Sequence, residues 1–294
     1  MSGSGTFSTG PQGGPGAGGK EMRMAIIERE RCGVVFEASE QLEARGGIAH
    51  GFSTRLGGVS EGVYASMNLG LNRGDDPACV RENYRRFLGA IGARGARLAM
   101  CNQVHGCHVR TITTADVKTD LYEKLGYEGD GMITAIPGVT LLVFAADCIP
   151  VLLYDPRRRV IGAVHAGWRG TAAGIVTEAV ERMKLVYGCR PEDILAAVGP
   201  GIGPDCFETH EDVPNAMMAA VASPALPYIT IKENGKFAVD LKGINARRLE
   251  LAGLAAENIA VSGECTACLK DKYWSHRLQG EARGSMAAAI ELLE

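Results

Sequence analysis

The chain has 294 residues, 46% hydrophobic and 22% charged, with a formal net charge of -3. This composition supports a soluble protein with a large core, and the near-neutral balance carries no footprint for nucleic acid or acidic membrane surfaces. No run is apolar enough to cross a bilayer, and the basic start and apolar stretch of a secretory signal are missing.

Residues 1–23 are rich in Gly, Ser and Pro and hold too little apolar surface to offset the entropy of ordering, which predicts a disordered tail before a single domain over 24–294. The segment Gly51 to Asn72 reads as irregular backbone, and Arg81 to Ile91 carries helical spacing of Tyr84, Phe87, Leu88 and Ile91. Leu98 to Thr113 reads as extended pieces around Asn102-Gln103-Val104-His105-Gly106. Strands are predicted over Gly131 to Ile136, Thr140 to Ala146, Ile149 to Tyr154 and, after the Asp155-Pro156 turn, Val160 to His165.

Thr171 is the expected N-cap of a helix whose apolar face is Ile175, Ala179, Val180, Met183 and Val186, ending at Gly188. A short strand, Ile194 to Val198, leads into the glycine-rich loop Gly199 to Pro204. Asn234-Gly235 marks a hairpin within Ile229 to Val239, followed by a helix over Leu241 to Leu254 and a strand at Ile259 to Val261. Hairpins mixed with helices predict an α+β fold, a layered sandwich of mixed β-sheets flanked by helices, rather than a doubly wound parallel sheet.

His105, Cys148 and His165 each sit at an irregular junction: beside Gly106, between Asp147 and Ile149-Pro150, and at the head of His165-Ala166-Gly167-Trp168-Arg169-Gly170. Two imidazoles and a thiolate suit tetrahedral zinc, and three protein ligands leave a catalytic position open. Spacing alone does not bring them together, since only Cys148 and His165 are near in sequence, and a lone His or Cys at a strand end is more often structural.

The motifs His50-Gly-Phe-Ser-Thr-Arg-Leu-Gly-Gly-Val-Ser60, Met67-Asn-Leu-Gly70, Asn102-Gln-Val-His-Gly106, Ala146-Asp-Cys-Ile-Pro150, His165-Ala-Gly-Trp-Arg-Gly170, Gly199-Pro-Gly-Ile-Gly-Pro204 and Cys265-Thr266 through Arg277 to Gly284 occur in order over nearly all the chain. Together they resemble the laccase-domain family, also called YfiH-like or "polyphenol oxidase". The resemblance implies an α+β sandwich and zinc held by His105, Cys148 and His165. It also implies phosphorolysis of adenosine, inosine, guanosine and S-methyl-5'-thioadenosine, with adenosine deamination as a second activity.

Arg55, Arg169 and Arg277 fall inside family motifs, and guanidinium groups hold phosphate bidentately, so these three and Asn68 are the candidate substrate or phosphate contacts. The family often has an aromatic residue and two arginines near Arg277. Here the stretch is Trp274-Ser275-His276-Arg277-Leu278, which leaves the second arginine unplaced. Asp147 could steer a ligand, although neighbours on a strand point to opposite faces and so would not share a pocket.

Other readings stand beside this one. Cys148 and His165 could form a metal-free thiol hydrolase acting on a peptide or amide such as a cell-wall precursor. A zinc-stabilised binding scaffold would require a fourth protein ligand. A copper-dependent polyphenol oxidase is disfavoured, because six histidines without a His-x-His pair cannot furnish a multicopper set. The loop at 199–203 lacks the Lys-Ser/Thr of a phosphate loop and reads as a tight turn. Cys265 and Cys268 form a lone C-x-x-C read as a buried thiol pair, and Cys206 reads as a buried thiol. Nine cysteines, an odd number, are expected to be thiols or ligands in the cytosol.

Overall fold

In the strands Thr140–Ala145 and Ile149–Asp155 nearly every side chain is buried on both faces, so each must lie inside a layered stack. The computed structural model, which describes residues 25–124 and 126–294, arranges four layers: helix, sheet, sheet, helix. The expected tail over 1–23 lies outside the described residues.

The first six-stranded sheet runs, in spatial order, Ile26–Arg31, Val34–Ser39, Ile48–Ser53, Met286–Leu292, Thr140–Ala145 and Leu98–Ala99. The second runs Ile259–Val261, Leu195–Val198, Ile149–Asp155, Val160–Ala166, Gly131–Thr134 and Val109–Thr111. Both are mixed: Leu98–Ala99 pairs parallel with Thr140–Ala145 and Leu195–Val198 parallel with Ile259–Val261, while the pairs at the centre of each sheet are antiparallel.

The two-residue period of a strand sorts the core. Leu141, Val143, Ala288 and Ile290 of the first sheet meet Leu152, Ile161, Ala163 and Ala197 of the second. The alternate residues face outward. Leu142, Ala287 and Ala289 pack under Tyr84, Phe87, Leu88 and Ile91 of the helix Pro77–Ile91. Val151, Leu153 and Val164 pack under Ile175, Ala179 and Met183 of the helix Ile175–Tyr187 and under Ile244 of the helix Leu241–Leu251. At roughly 25 cal/mol per Å² of apolar area, burial on both faces of two sheets is the dominant favourable term.

The Asn234-Gly235 hairpin forms as expected, pairing Ile229–Ile231 with Phe237–Val239. Thr171 is not an N-cap. It is buried inside the short helix Trp168–Ala173, where its hydroxyl accepts from Asn245 Nδ2 at 2.9 Å, and the next helix begins after Gly174, whose φ of +87° turns the chain. No helix among the described residues is long and apolar enough to cross a membrane.

Candidate metal centre and cleft

The chain leaves the first sheet at Ala145 and enters the second at Ile149, crossing in three residues, Ala146, Asp147 and Cys148. Facing sheets stack about 10 Å apart, and three extended residues span about that distance. The corner is made at Asp147, whose φ of +86° is costly for a side chain larger than glycine. Its carboxylate accepts from Thr266 Oγ1 (2.6 Å), Ser275 Oγ (3.0 Å) and the Arg277 backbone N–H (2.7 Å). Because the strand has stopped, Asp147 and Cys148 line the same cleft, contrary to the opposite-face expectation.

Cys148 meets two histidines. The donor atoms of His105, Cys148 and His165 all lie within 4.8 Å of one another, and the two imidazoles stand edge-to-face with centroids 4.9 Å apart. Asp130 places both rings. Its carboxylate accepts from the backbone N–H groups of Val104 (3.2 Å), His105 (2.9 Å) and Gly106 (2.7 Å), and its Oδ1 lies 2.8 Å from His165 Nδ1. With Nδ1 engaged, Nε2 of His165 remains as the nitrogen for a metal, which is the carboxylate–histidine arrangement common behind zinc ligands. Gln103 docks the His105 loop onto the first sheet, its amide exchanging two hydrogen bonds with the Phe144 backbone (2.8 and 2.7 Å). His105 itself sits at φ +60°, a second strained residue in the site.

The close packing here depends on missing side chains. A Cβ on Gly167 would lie 2.9 Å from the His105 ring and 3.3 Å from Cys148 Sγ, and one on Gly170 would lie 2.9 Å from the Gly106 carbonyl oxygen. The close approach therefore belongs to Gly170; a Cβ at Gly106 would find ordinary contacts.

The electrostatics suit a metal or a thiolate. Burial alone would raise the Cys148 thiol, but the charge of His165 and hydrogen bonds from both histidines outweigh it and bring it down to about 6. Burial would lower His165, yet the Cys148 charge and the Asp130 hydrogen bond raise it to about 9. Asp130, buried but hydrogen-bonded by His165 and the Gly106 N–H, stays below the usual carboxylate range. Two nitrogens and one sulfur fit zinc by donor type, and the cleft beyond them leaves room for a fourth, non-protein ligand.

That cleft has a volume of about 440 Å³ and is lined by His105, Asp147 and Cys148 at its floor. Trp168, Phe207, Ile202 and Leu241 supply apolar walls, and Arg73, Arg169, Arg277 and Arg283 supply positive charge. Arg283 is only 7% exposed and its Nε has no partner. Burial lowers its pKa, and the neighbouring charge of Arg73 lowers it further. Glu281, also on the cleft wall, pairs with Arg73 at 2.9 Å, so Arg283 is the guanidinium left with a free donor for an anion.

A family model described as multi-copper polyphenol oxidoreductase laccase matches residues 49–293. The chain belongs to this family. Among laccase-family relatives, a purine nucleoside phosphorylase of Deinococcus radiodurans is 41% identical over 245 residues, covering 83% of this chain and 89% of its own. The purine nucleoside phosphorylase YlmD of Geobacillus stearothermophilus is 35% identical over 263 residues, covering 85% and 96%. The crystal structure of YlmD from Geobacillus stearothermophilus superposes with a TM-score of 0.83 at 32% identity, covering 92% of this chain and 100% of that one. That of the Bacillus licheniformis hypothetical protein YfiH gives 0.84 at 29% identity, covering 90% and 98%.

The laccase-family motifs do not all reach the cleft. His105, Cys148 and His165 meet, and Arg169 and Arg277 line the cavity, Arg169 lying over the Trp168 ring (4.3 Å). Arg55 is engaged elsewhere: its guanidinium stacks on Trp274 (3.8 Å) and donates to the carbonyls of Ala65 and Lys270, so it clamps a loop. Asn68 is fully buried, accepting from the N–H groups of Gly70 and Ser285 and donating to Asp75, which is likewise loop architecture. His50, first residue of its motif, is buried and accepts from the Ser39 N–H at 3.0 Å. The reading of the sequence missed Asp130, Gln103, Arg73 and Arg283. Asp130 carried a local signal, an acid set between Gly129 and Gly131, while Gln103 and Arg283 lay inside quoted motifs without being singled out.

Proposed function

We propose that the chain is a zinc-dependent purine nucleoside phosphorylase. It converts adenosine, inosine, guanosine or S-methyl-5'-thioadenosine, with phosphate, to the free base and ribose 1-phosphate or its methylthio analogue. Deamination of adenosine is a second activity of the same site. The observation that carries this reading is the buried Arg283, its Nε without a partner, on a cleft that opens onto His105, Cys148 and His165. The names of the relatives point the same way.

A purine nucleoside and a phosphate suit a cleft of this size and lining. Trp168 and Phe207 offer aromatic faces for the base, and Arg73, Arg277 and Arg283 hold phosphate on the sugar side. Bond breaking at the anomeric carbon passes through an oxocarbenium-like state, by analogy with glycoside hydrolysis. An oxygen of hydrogenphosphate forms the new C–O bond as the C–N bond to the base breaks, and the base nitrogen ends with the proton that the phosphate gives up, passed directly or through water. Zinc, when bound, supplies Lewis acidity and lowers the pKa of a bound water to about 7. Asp130 keeps His165 in the tautomer that presents Nε2, and the corner at Asp147 keeps Cys148 on the cleft floor. The cytosol, expected from the cysteine count, belongs to this proposal.

A second reading rests on the same geometry. Asp130, His165 and Cys148 form a carboxylate–imidazole–thiol series with the thiol brought down to about 6, which is what a metal-free thiol hydrolase needs. A multicopper oxidase finds less support, because among the described residues one cluster alone contains imidazole.

The test is incubation of purified protein with inosine and with adenosine, each with and without phosphate. Hypoxanthine from inosine only when phosphate is present supports phosphorolysis, and inosine from adenosine without phosphate supports deamination. If neither product forms, both activities are wrong.

A further inference from the structure

Leu195–Val198 and Ile259–Val261 are parallel neighbours, so the loops leaving their C-terminal ends emerge side by side and are tied by a bridge between Gly201 and Cys265. One loop carries Cys206 and the other Cys265 and Cys268, and the three Sγ atoms converge within 4.8 Å of one another. We propose that Cys206, Cys265 and Cys268 form a second metal site for a thiophilic d10 cation, Zn2+ or Cu+, apart from His105, Cys148 and His165.

Sulfur spacing supports a shared ion. Thiolates about 2.3 Å from one metal lie roughly 3.8 Å apart in tetrahedral geometry and roughly 4.0 Å apart in trigonal geometry. The observed sulfurs bracket those values, with Cys206 and Cys268 3.4 Å apart and no pair beyond 4.8 Å. Cys265 Sγ accepts from the Gly203 N–H at 3.0 Å and from the Cys268 N–H at 3.5 Å, backbone donors of the kind that settle thiolate charge in metal sites. Gly203 permits this approach, since a Cβ there would stand 3.3 Å from that sulfur. The C-x-x-C spacing supplies two ligands from one turn, and Cys206 is the third that the sequence did not connect to them.

Three thiolates and a divalent cation leave one negative charge. Arg277 lies close to this charge, its Nη1 donating to the Cys206 carbonyl at 3.1 Å. The adjacent Phe207 and Arg277 both line the cleft, so an ion here braces that wall. Exposed Cys268 leaves the fourth position open to solvent.

The test is metal content after purification under reductant, loading with ZnCl2 and desalting. The natural chain should hold about two equivalents, and both His105→Ala/His165→Ala and Cys206→Ser/Cys265→Ser/Cys268→Ser about one each. A natural chain that holds one equivalent, left unchanged by the triple serine substitution, overturns the site. As a check independent of the triple variant's folding, Co2+ added to His105→Ala/His165→Ala should give an intense sulfur-to-cobalt band that weakens in a further single Cys206→Ser variant. A band that Cys206→Ser leaves intact also overturns it.

Discussion

Asp130 binds three backbone N–H groups of the His105 loop and the imidazole of His165, so it ties the two histidine-bearing segments together. Changing it to Asn replaces one acceptor oxygen by a donor facing N–H groups and releases the His165 tautomer. Metal affinity should fall roughly 10- to 100-fold, as for other hydrogen-bond partners of ligating histidines, and competition with a chromophoric chelator measures it. An unchanged affinity would mean that the ring orientation does not depend on Asp130. His50 gives a pH prediction. Burial brings its pKa down to about 4 from 6.5, so between those values the unfolded chain binds a proton that the folded chain refuses. Its contribution is present above pH 6.5 and lost as pH falls towards 4. Urea unfolding should show about 2 kcal/mol less stability at pH 5 than at pH 7 from this group, a loss absent in His50→Gln. At this scale, the motifs carried the three candidate ligands. They also selected Arg55 and Asn68, because a residue that clamps a loop is as motif-bound as one that touches substrate.

Elements set how tightly the site is drawn together. Gly167→Ala places a methyl group 2.9 Å from the His105 ring and 3.3 Å from Cys148 Sγ, with the helix Trp168–Ala173 directly behind it. Bound zinc should drop several-fold while the melting temperature changes little, which metal analysis and a thermal scan separate. Gln103→Met leaves the Phe144 N–H and C=O without their partners and should cost about 1–3 kcal/mol in denaturant unfolding. Legibility differed among elements for physical reasons. Strands with both faces buried, such as Thr140–Ala145, announce themselves as apolar runs. Ile26–Arg31 was overlooked because it is an edge strand with exposed charges, and Met286–Leu292 because its alanines favour helix. In the sheet those alanines are the small residues that fit between the bulkier strands at 48–53 and 140–145, so tertiary packing overrides propensity.

At the scale of the whole molecule, the sandwich creates the site by forcing one chain crossing between sheets and by closing His105, Cys148 and His165 onto it from segments up to sixty residues apart. The layered α+β architecture could be read from hairpin and helix signals, but the cleft could not, since Arg73 and Arg283 come from loops that carry no periodic pattern. Removing the charge in Arg283→Met should raise the KM for phosphate roughly 10- to 100-fold, the value of a lost charge-assisted contact, with a smaller change in the KM for nucleoside. The most direct measurement of the central claim is the rate of hypoxanthine release from inosine and phosphate by protein stripped with chelator and then reloaded with zinc. The stripped protein should stay folded and inactive, and zinc should restore phosphate-dependent release. Full phosphate-dependent release by the stripped protein would contradict a zinc-dependent mechanism.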